Sequence, residues 1–203
     1  MLATRFRVAS RLRGQVYRTV STLSSNPDIK VFPDPLHPSA HILTYLDDKP
    51  KLRTDLAIGT STAIPPTPRS FRENHRFLDI LNEVLAENAP KDPDLQAAAQ
   101  AFASPGGGFQ FIGGSGASGQ GGAGGGGVGG WVHLSDRRNP PDYGRIAWPE
   151  DIFGSLEVDG HGNIMGNFQP SGTYRIVTNE GILGLSPFLT ERLVARLKKE
   201  QVA

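Results

Sequence analysis

One glycine-rich segment divides this chain of 203 residues and constrains its fold more than any other feature. Residues 105–130 contain 15 of the 25 glycines, and glycine has an ordinary frequency elsewhere in the chain. Glycine loses more conformational freedom on folding than other residues, and this segment has few apolar side chains to compensate. The sequence therefore predicts a flexible linker at 105–130 between two structured parts.

The linker also contains a literal match to the G-x-G-x-x-G pattern, at Gly114-Ser115-Gly116-Ala117-Ser118-Gly119. That pattern binds a dinucleotide only where a strand precedes it and a helix receives the pyrophosphate. The residues that follow it are mostly glycine, which does not support a helix. We therefore predict no dinucleotide site and no cofactor.

Other catalytic and metal-binding patterns are weak. The chain has no cysteine, which excludes disulfides, thiolate metal ligands and a thiol nucleophile. His37 and His41 have the spacing of a helical metal site, but the prolines around them disfavour that helix. Glu150-Asp151 has the composition of a glycosidase carboxylate pair, although such pairs are more often solvated. The sequence predicts no catalytic residue and no metal site.

The first 26 residues form a basic arm without a single acidic residue. The rest of the chain has 16 Lys and Arg against 20 Asp and Glu, a net charge of −4. An arm rich in Arg, Ser and Thr is typical of a mitochondrial transit peptide. The same arm also suits contact with anionic lipid or with nucleic acid, and a solvated terminus is the third alternative. No stretch reaches the roughly 20 apolar residues of a transmembrane helix, so we predict no transmembrane segment.

Residues 27–69 are predicted to be extended. Eight of the 16 prolines lie in this region, and proline disfavours helix both at its own position and before it. Apolar side chains recur through the segment, among them Phe32, Leu36 and Tyr45. This combination predicts a strap whose apolar side chains lie along the protein's own domain or along a partner protein.

Residues 70–104 are predicted to be helical. Ser70 and Glu73 have the spacing of a capping box, and an apolar stripe follows them, so we expect the first helix to begin at Ser70. A second helix is predicted to start at Asp92, with Pro93 in its first position.

Residues 131–203 are predicted to form a small α+β unit. From Asp151 onward the pattern predicts short strands, with apolar alternation at Leu156–Val158 and another strand at Thr173–Thr178. A turn is predicted at Gly160–Asn163, and Ile164 and Met165 are predicted to begin the return strand. Ser186 and Pro187 predict the start of a terminal helix. The predicted fold class is α+β: an extended Pro-rich N-terminal arm, two helices, a Gly-rich linker and a small C-terminal β-meander with a terminal helix.

A charged loop lies near the start of this unit, with Asp136-Arg137-Arg138 between Trp131 and Tyr143. Cationic and stacking side chains of this kind bind RNA or phosphate. A local ion-pair cluster is the simpler interpretation, and we favour it. The net negative charge beyond residue 26 also disfavours RNA as the main partner.

The N-terminal third resembles a known family. The arginine-bearing start, then Pro33-Asp34-Pro35-Leu36-His37-Pro38-Ser39-Ala40-His41 and Ile64-Pro65-Pro66, are similar to the opening of a fungal accessory subunit of mitochondrial respiratory complex I (NADH:ubiquinone oxidoreductase). The resemblance is to a small peripheral-arm subunit whose animal form has an N-terminal basic helix and a Pro-rich extended stretch. It implies a structural role without cofactor or catalytic residue, in which extended segments clamp core subunits on the matrix side of the inner membrane.

Three hypotheses follow from the sequence. The first is a structural subunit of a mitochondrial respiratory-chain complex, with protein subunits as partners and peripheral lipid contact of the arm. The second is a mitochondrial ribosomal protein that contacts rRNA through the basic arm. The third and least favoured is an enzyme, with His161 and Glu157 as its best candidates. The predicted partner-binding residues are Arg5, Arg7, Arg11, Arg13, Phe32, Leu36, Tyr45, Trp131, Arg137, Arg138 and Tyr143.

Overall fold

The structure is a computed structural model that describes residues 21–47, 51–103, 129–141 and 145–202. Most of the predicted linker lies outside these residues. So do five predicted partner-binding residues: Arg5, Arg7, Arg11, Arg13 and Tyr143. Predictions that fall on those positions stay predictions.

The first half of the described chain forms a five-stranded antiparallel sheet in sequence order, β1 to β5. Its strands are Ser21–Thr22, Lys30–Pro33, His41–Thr44, Gly59–Ser61 and Phe71–Glu73. The prolines of this region interrupt the strands and keep them short, because proline lacks the amide donor that a ladder needs. The predicted strap is therefore a pleated meander, and many of its apolar side chains enter the protein's own core.

Helix α1 spans His75–Asn88, so the prediction that it begins at Ser70 is wrong. Residues 71–73 instead pair with β4 as strand β5. The N-cap is Asn74, whose side-chain oxygen accepts the Arg76 N–H at 3.1 Å. Residues 71–73 satisfy backbone N–H and C=O groups by pairing with β4. This pairing outweighs the capping-box spacing, and the helix starts after the strand ends.

Two other predicted helix starts are confirmed. Helix α2 spans Pro93–Ala103 and helix α3 spans Pro187–Val202. The Ser186 hydroxyl accepts the Leu189 N–H at 3.2 Å and donates to the buried Asp92 carboxylate at 2.8 Å. One serine thereby caps α3 and ties its start to the start of α2.

A second antiparallel sheet has the order β6-β7-β8, with strands Gly130–Ser135, Ile152–Val158 and Ile164–Pro170. The predicted turn at Gly160–Asn163 joins β7 to β8. The predicted strand Thr173–Thr178 is shorter than expected: only β9, Val177–Thr178, pairs, and its partner is β10, Gly181–Ile182. The Arg138 side chain, in the loop between β6 and β7, donates to the carbonyls of residues 175 and 176, so these carbonyls do not take part in a ladder.

One continuous apolar core joins the five-stranded sheet, the helices and the second sheet. Helices α1 and α3 pack against each other, and their buried faces include Phe77, Leu81, Leu85, Leu193 and Leu197. The mixed α+β class is confirmed. In the described part of the chain, no helix has both the length and the apolar character that a membrane span requires.

Candidate functional site

Both tryptophans of the chain lie on the surface. Trp148 is 69% exposed and Trp131 is 42% exposed. Tryptophan is highly buried on average in folded proteins, and exposed aromatic residues are enriched where proteins bind one another. The two side chains therefore mark a candidate binding surface.

Trp148 borders a groove of about 1120 Å³. One wall is strand β5 with the start of α1, and the other consists of residues 148–150 and 172–175. We call this the Trp148 groove. A second depression of about 380 Å³ adjoins it through Pro149 and Thr173, and Trp131 lines that depression. The two tryptophans thus belong to one continuous surface.

Strand β5 is an edge strand, with no further strand beside it among the described residues. Two hydrogen bonds show which residue pairs of β4 and β5 are hydrogen-bonded: Thr62 N–H donates to Ser70 C=O (3.0 Å), and Asn74 N–H donates to Ile58 C=O (3.1 Å). Bonded and non-bonded pairs alternate in an antiparallel ladder, so Arg72 bonds to Thr60 and the peptide groups of Phe71 and Glu73 point to the open edge. The Phe71 N–H donates to the Thr67 carbonyl at 3.0 Å. The Phe71 carbonyl and both Glu73 peptide groups face outward.

Three arginines lie on or beside the groove. Arg72 and Arg175 line it from opposite walls, and Arg69 lies in the turn before β5. All three are exposed, and none of them forms an ion pair with another described residue. A second set of described arginines contacts carboxylates within 3.8 Å: Arg53, Arg76, Arg137, Arg138 and Arg196. The groove therefore carries cationic groups that the described chain leaves without a carboxylate.

Two carboxylates also line the groove. Glu73 Oε1 accepts the Ile176 N–H at 3.2 Å, which links β5 to the opposite wall. Glu150 is exposed. Its main chain rather than its side chain is fixed, because its carbonyl accepts from Arg138 at 3.0 Å and from the Arg175 N–H at 3.2 Å.

A buried ion cluster supports this wall from below. The Arg138 side chain is 3% exposed and contacts Asp151 at 2.7 Å and Asp136 at 3.6 Å, both fully buried. Its guanidinium also donates to the carbonyls of Glu150, Arg175 and Ile176 at 2.8–3.0 Å. One arginine therefore joins the two segments that carry the far wall of the groove.

Asp136 is the titratable member of this cluster. Burial raises its pKa to about 6, and the opposing effects of Arg138, of two backbone N–H groups and of the Tyr174 hydroxyl are smaller. Tyr174 donates to Asp136 at 2.9 Å and lies under the Arg138 guanidinium, 5.5 Å from its ring centre. Burial also raises the pKa of Tyr174 well above its usual value, so its hydroxyl stays a donor.

The predicted partner-binding residues that the structure describes differ in exposure. Trp131 lies on the surface described above, and Leu36 is 80% exposed between β2 and β3. Arg137 is exposed and lies 3.8 Å from Asp94. These three residues are brought to different parts of the surface. Three others are wrong as surface contacts, because their side chains are buried: Phe32, Tyr45 and Arg138.

The reason for these corrections is physical. The five-stranded sheet turns many apolar side chains of the predicted strap inward, Phe32 and Tyr45 among them, where a partner has no access to them. The Asp136-Arg137-Arg138 sequence separates into an exposed Arg137 and a buried Arg138. The favoured interpretation of a local ion-pair cluster is confirmed for Arg138.

A Ser–His pair lies on the outer face of the second sheet. The His133 Nδ1 and Ser155 Oγ atoms are 2.7 Å apart, and the two residues are direct cross-strand partners of β6 and β7. Burial lowers the pKa of His133, which favours the neutral ring. A nucleophilic serine also needs a group that orients the histidine, and no described carboxylate bonds to this ring. The described residues likewise contain no group of three His, Asp or Glu side chains arranged for a metal ion.

Comparison with protein-family models, with curated proteins and with solved structures found no match. The site therefore has to be interpreted from its own residues. Sequence reasoning missed Trp148, Arg72 and Arg175. The signal available for Trp148 was a tryptophan before a proline in a turn-rich stretch without apolar periodicity. Nothing in the local sequence placed the two arginines opposite each other, since 103 residues separate them.

Proposed function

We propose that this chain is a non-catalytic structural subunit of a large mitochondrial assembly, with respiratory complex I as the first candidate. The observation that carries the proposal is the Trp148 groove. Among the described residues, an exposed tryptophan lines it together with arginines that have no ion-pair partner and an edge strand that has no second neighbouring strand. The few residues that dominate the binding energy at protein interfaces are enriched in tryptophan, tyrosine and arginine.

The mitochondrial part of the proposal is supported by the sequence. The basic arm has the composition of a transit peptide, and the N-terminal third resembles a complex I accessory subunit. On this proposal the protein lies on the matrix side of the inner membrane and binds other subunits through its surface. The binding role rests on the groove, whereas the choice of complex rests on the resemblance.

The proposal is tested by native electrophoresis of gently solubilised mitochondria that contain the tagged protein. We expect the tag to co-migrate with a high-mass complex that also contains complex I core subunits. Migration only as a free monomer, with or without the basic arm, would overturn the proposal. Migration with another large complex would keep the structural role and replace complex I.

A mitochondrial ribosomal protein is the second candidate. It is favoured by the basic arm, which has five arginines and no acidic residue within the first 26 positions. The net charge of −4 over the rest of the chain weighs against it. If the arm binds rRNA, ribonuclease treatment before electrophoresis should release the tagged protein from its complex. An unchanged position after ribonuclease supports the first candidate.

A further inference from the structure

We infer that the Trp148 groove binds an extended acidic segment of a partner protein, which adds to the five-stranded sheet as a new strand beside β5. This inference rests on the proposed function as a protein-binding subunit and specifies the chemistry of the partner. Its three supports are the free backbone of β5, the unpaired arginines and the exposed tryptophan.

The backbone of β5 provides the first support. The Phe71 carbonyl and the Glu73 N–H and C=O point to the open side of the strand. A peptide in extended conformation pairs with such an edge through main-chain hydrogen bonds, about 4.8 Å away. All three residues of β5 line the groove, and its volume of about 1120 Å³ is larger than that of a usual small-molecule pocket, which fits a chain segment.

The charges provide the second support. Arg72 and Arg175 lie on opposite walls, both exposed and without an ion-pair partner among the described residues, and Arg69 is close in sequence to β5. Two carboxylates line the groove as well: Glu73, whose Oε1 accepts the Ile176 N–H, and Glu150. Arginine binds carboxylates through two parallel hydrogen bonds, so acidic side chains on a bound strand can pair with Arg72 and Arg175.

The aromatic wall provides the third support. Trp148 is 69% exposed on the wall opposite β5, and Pro149 continues the same wall. Side chains alternate between the two faces of a strand, so a segment with acidic residues at every second position offers apolar residues at the positions between. Those apolar side chains suit contact with the indole ring. The partner segment is therefore expected to alternate acidic and apolar residues.

An RNA partner fits this site less well. A single strand of RNA also binds arginine and stacks on tryptophan, but it has no backbone that completes a β-ladder. The chain beyond residue 26 is also net negative, which opposes a polyanion more than a short acidic peptide. We therefore treat RNA binding as a result that would count against the inference.

The direct test uses an acetylated octapeptide of alternating glutamate and valine with the purified full-length protein. Binding is measured by calorimetry, and amide hydrogen exchange is followed at Glu73. We expect saturable binding that weakens as salt rises, with protection of the Glu73 amide when the peptide is bound. A lysine–valine peptide of the same length should not bind.

Reversal of the charges at Arg72 and Arg175 tests whether these two arginines bind the glutamate peptide. We expect R72E with R175E to weaken binding of the glutamate peptide by at least about tenfold and to permit binding of the lysine peptide. The matched control is R192E, an exposed arginine on α3 away from the groove lining. Equal affinity of R72E/R175E and R192E would overturn the inference. So would tighter binding of a uridine octanucleotide than of the peptide, or binding without Glu73 protection.

The outcome is distinguishable from a failure of the proposed function. If the protein co-migrates with a large mitochondrial complex but does not bind the glutamate peptide, the structural role stands and the groove assignment falls. If the peptide binds and no high-mass complex is found, the groove assignment is kept and the proposed role as a mitochondrial subunit is refuted.

Discussion

Replacement of Arg138 by methionine tests how the wall of the groove is held. The side chain is 3% exposed, between Asp136 and Asp151, whose side chains are fully buried. Methionine keeps much of the volume but removes the charge and all donors to three backbone carbonyls. Two buried carboxylates then lose their cation, and loss of one partner from a buried ion pair costs about 3–5 kcal/mol. We expect R138M to lower the free energy of unfolding by about 4 kcal/mol.

The adjacent arginine provides the matched control. Arg137 is 55% exposed and lies 3.8 Å from Asp94, which is 64% exposed. An exposed ion pair of this kind contributes about 1 kcal/mol at most, so R137M should have little effect. The assay is urea denaturation of both variants and of the wild type, monitored by tryptophan fluorescence and by circular dichroism.

The pH dependence of R138M gives an independent check. Without Arg138, the pKa of Asp136 rises further, because the nearest cation is gone. A protonated Asp136 no longer carries a buried charge, so the loss of stability should be smaller at acidic than at alkaline pH. Equal losses for R138M and R137M, or a loss that is independent of pH, would refute this account of the cluster.

Three further predictions concern other parts of the structure. The pKa of Asp136 is about 6 in the folded protein against 3.8 for an ordinary aspartate, so protonation of Asp136 stabilises the fold. This contribution of about 3 kcal/mol is complete below about pH 3.8 and is lost as the pH rises to about 6. Urea unfolding of wild type and D136N should show it as a difference that falls with pH, whereas a constant difference would contradict it. S186A should cost about 2 kcal/mol by removing a helix cap and the donor to buried Asp92, against almost nothing for S24A at an exposed site, in the same assay. W148A should leave the free energy of unfolding within about 0.5 kcal/mol of wild type, because the ring is mostly exposed; a large loss of stability would show that Trp148 is structural.

Local signals in the sequence predicted the parts of the fold that depend on neighbouring residues. Ser186-Pro187 and Asp92-Pro93 gave the starts of α3 and α2, since a cap and a proline at the first helical position act within one turn. Alternation predicted β7, and the turn at Gly160–Asn163 predicted its hairpin with β8. The mixed α+β class followed from these elements.

Long-range contacts decided what local signals did not. Ser70 and Glu73 have capping-box spacing, but the sheet uses residues 71–73 as a strand. Phe32 and Tyr45 were predicted as contacts for a partner, and the meander buries both. Arg138 follows Arg137 directly, yet only Arg138 meets two buried carboxylates, one of them from a loop 13 residues further on. The Trp148 groove depends on the approach of β5 to residues 148–175, which no local pattern specifies.

The central claim is that the Trp148 groove is where this protein contacts its assembly. Native electrophoresis of mitochondria that contain tagged wild type, a groove variant with R72E, W148A and R175E, or the control R192E tests it most directly. Circular dichroism of each purified protein first establishes that the variants are folded. We predict that wild type and R192E migrate in a high-mass complex and that the groove variant migrates as a free monomer. If the folded groove variant enters the complex as fully as wild type does, the claim is contradicted.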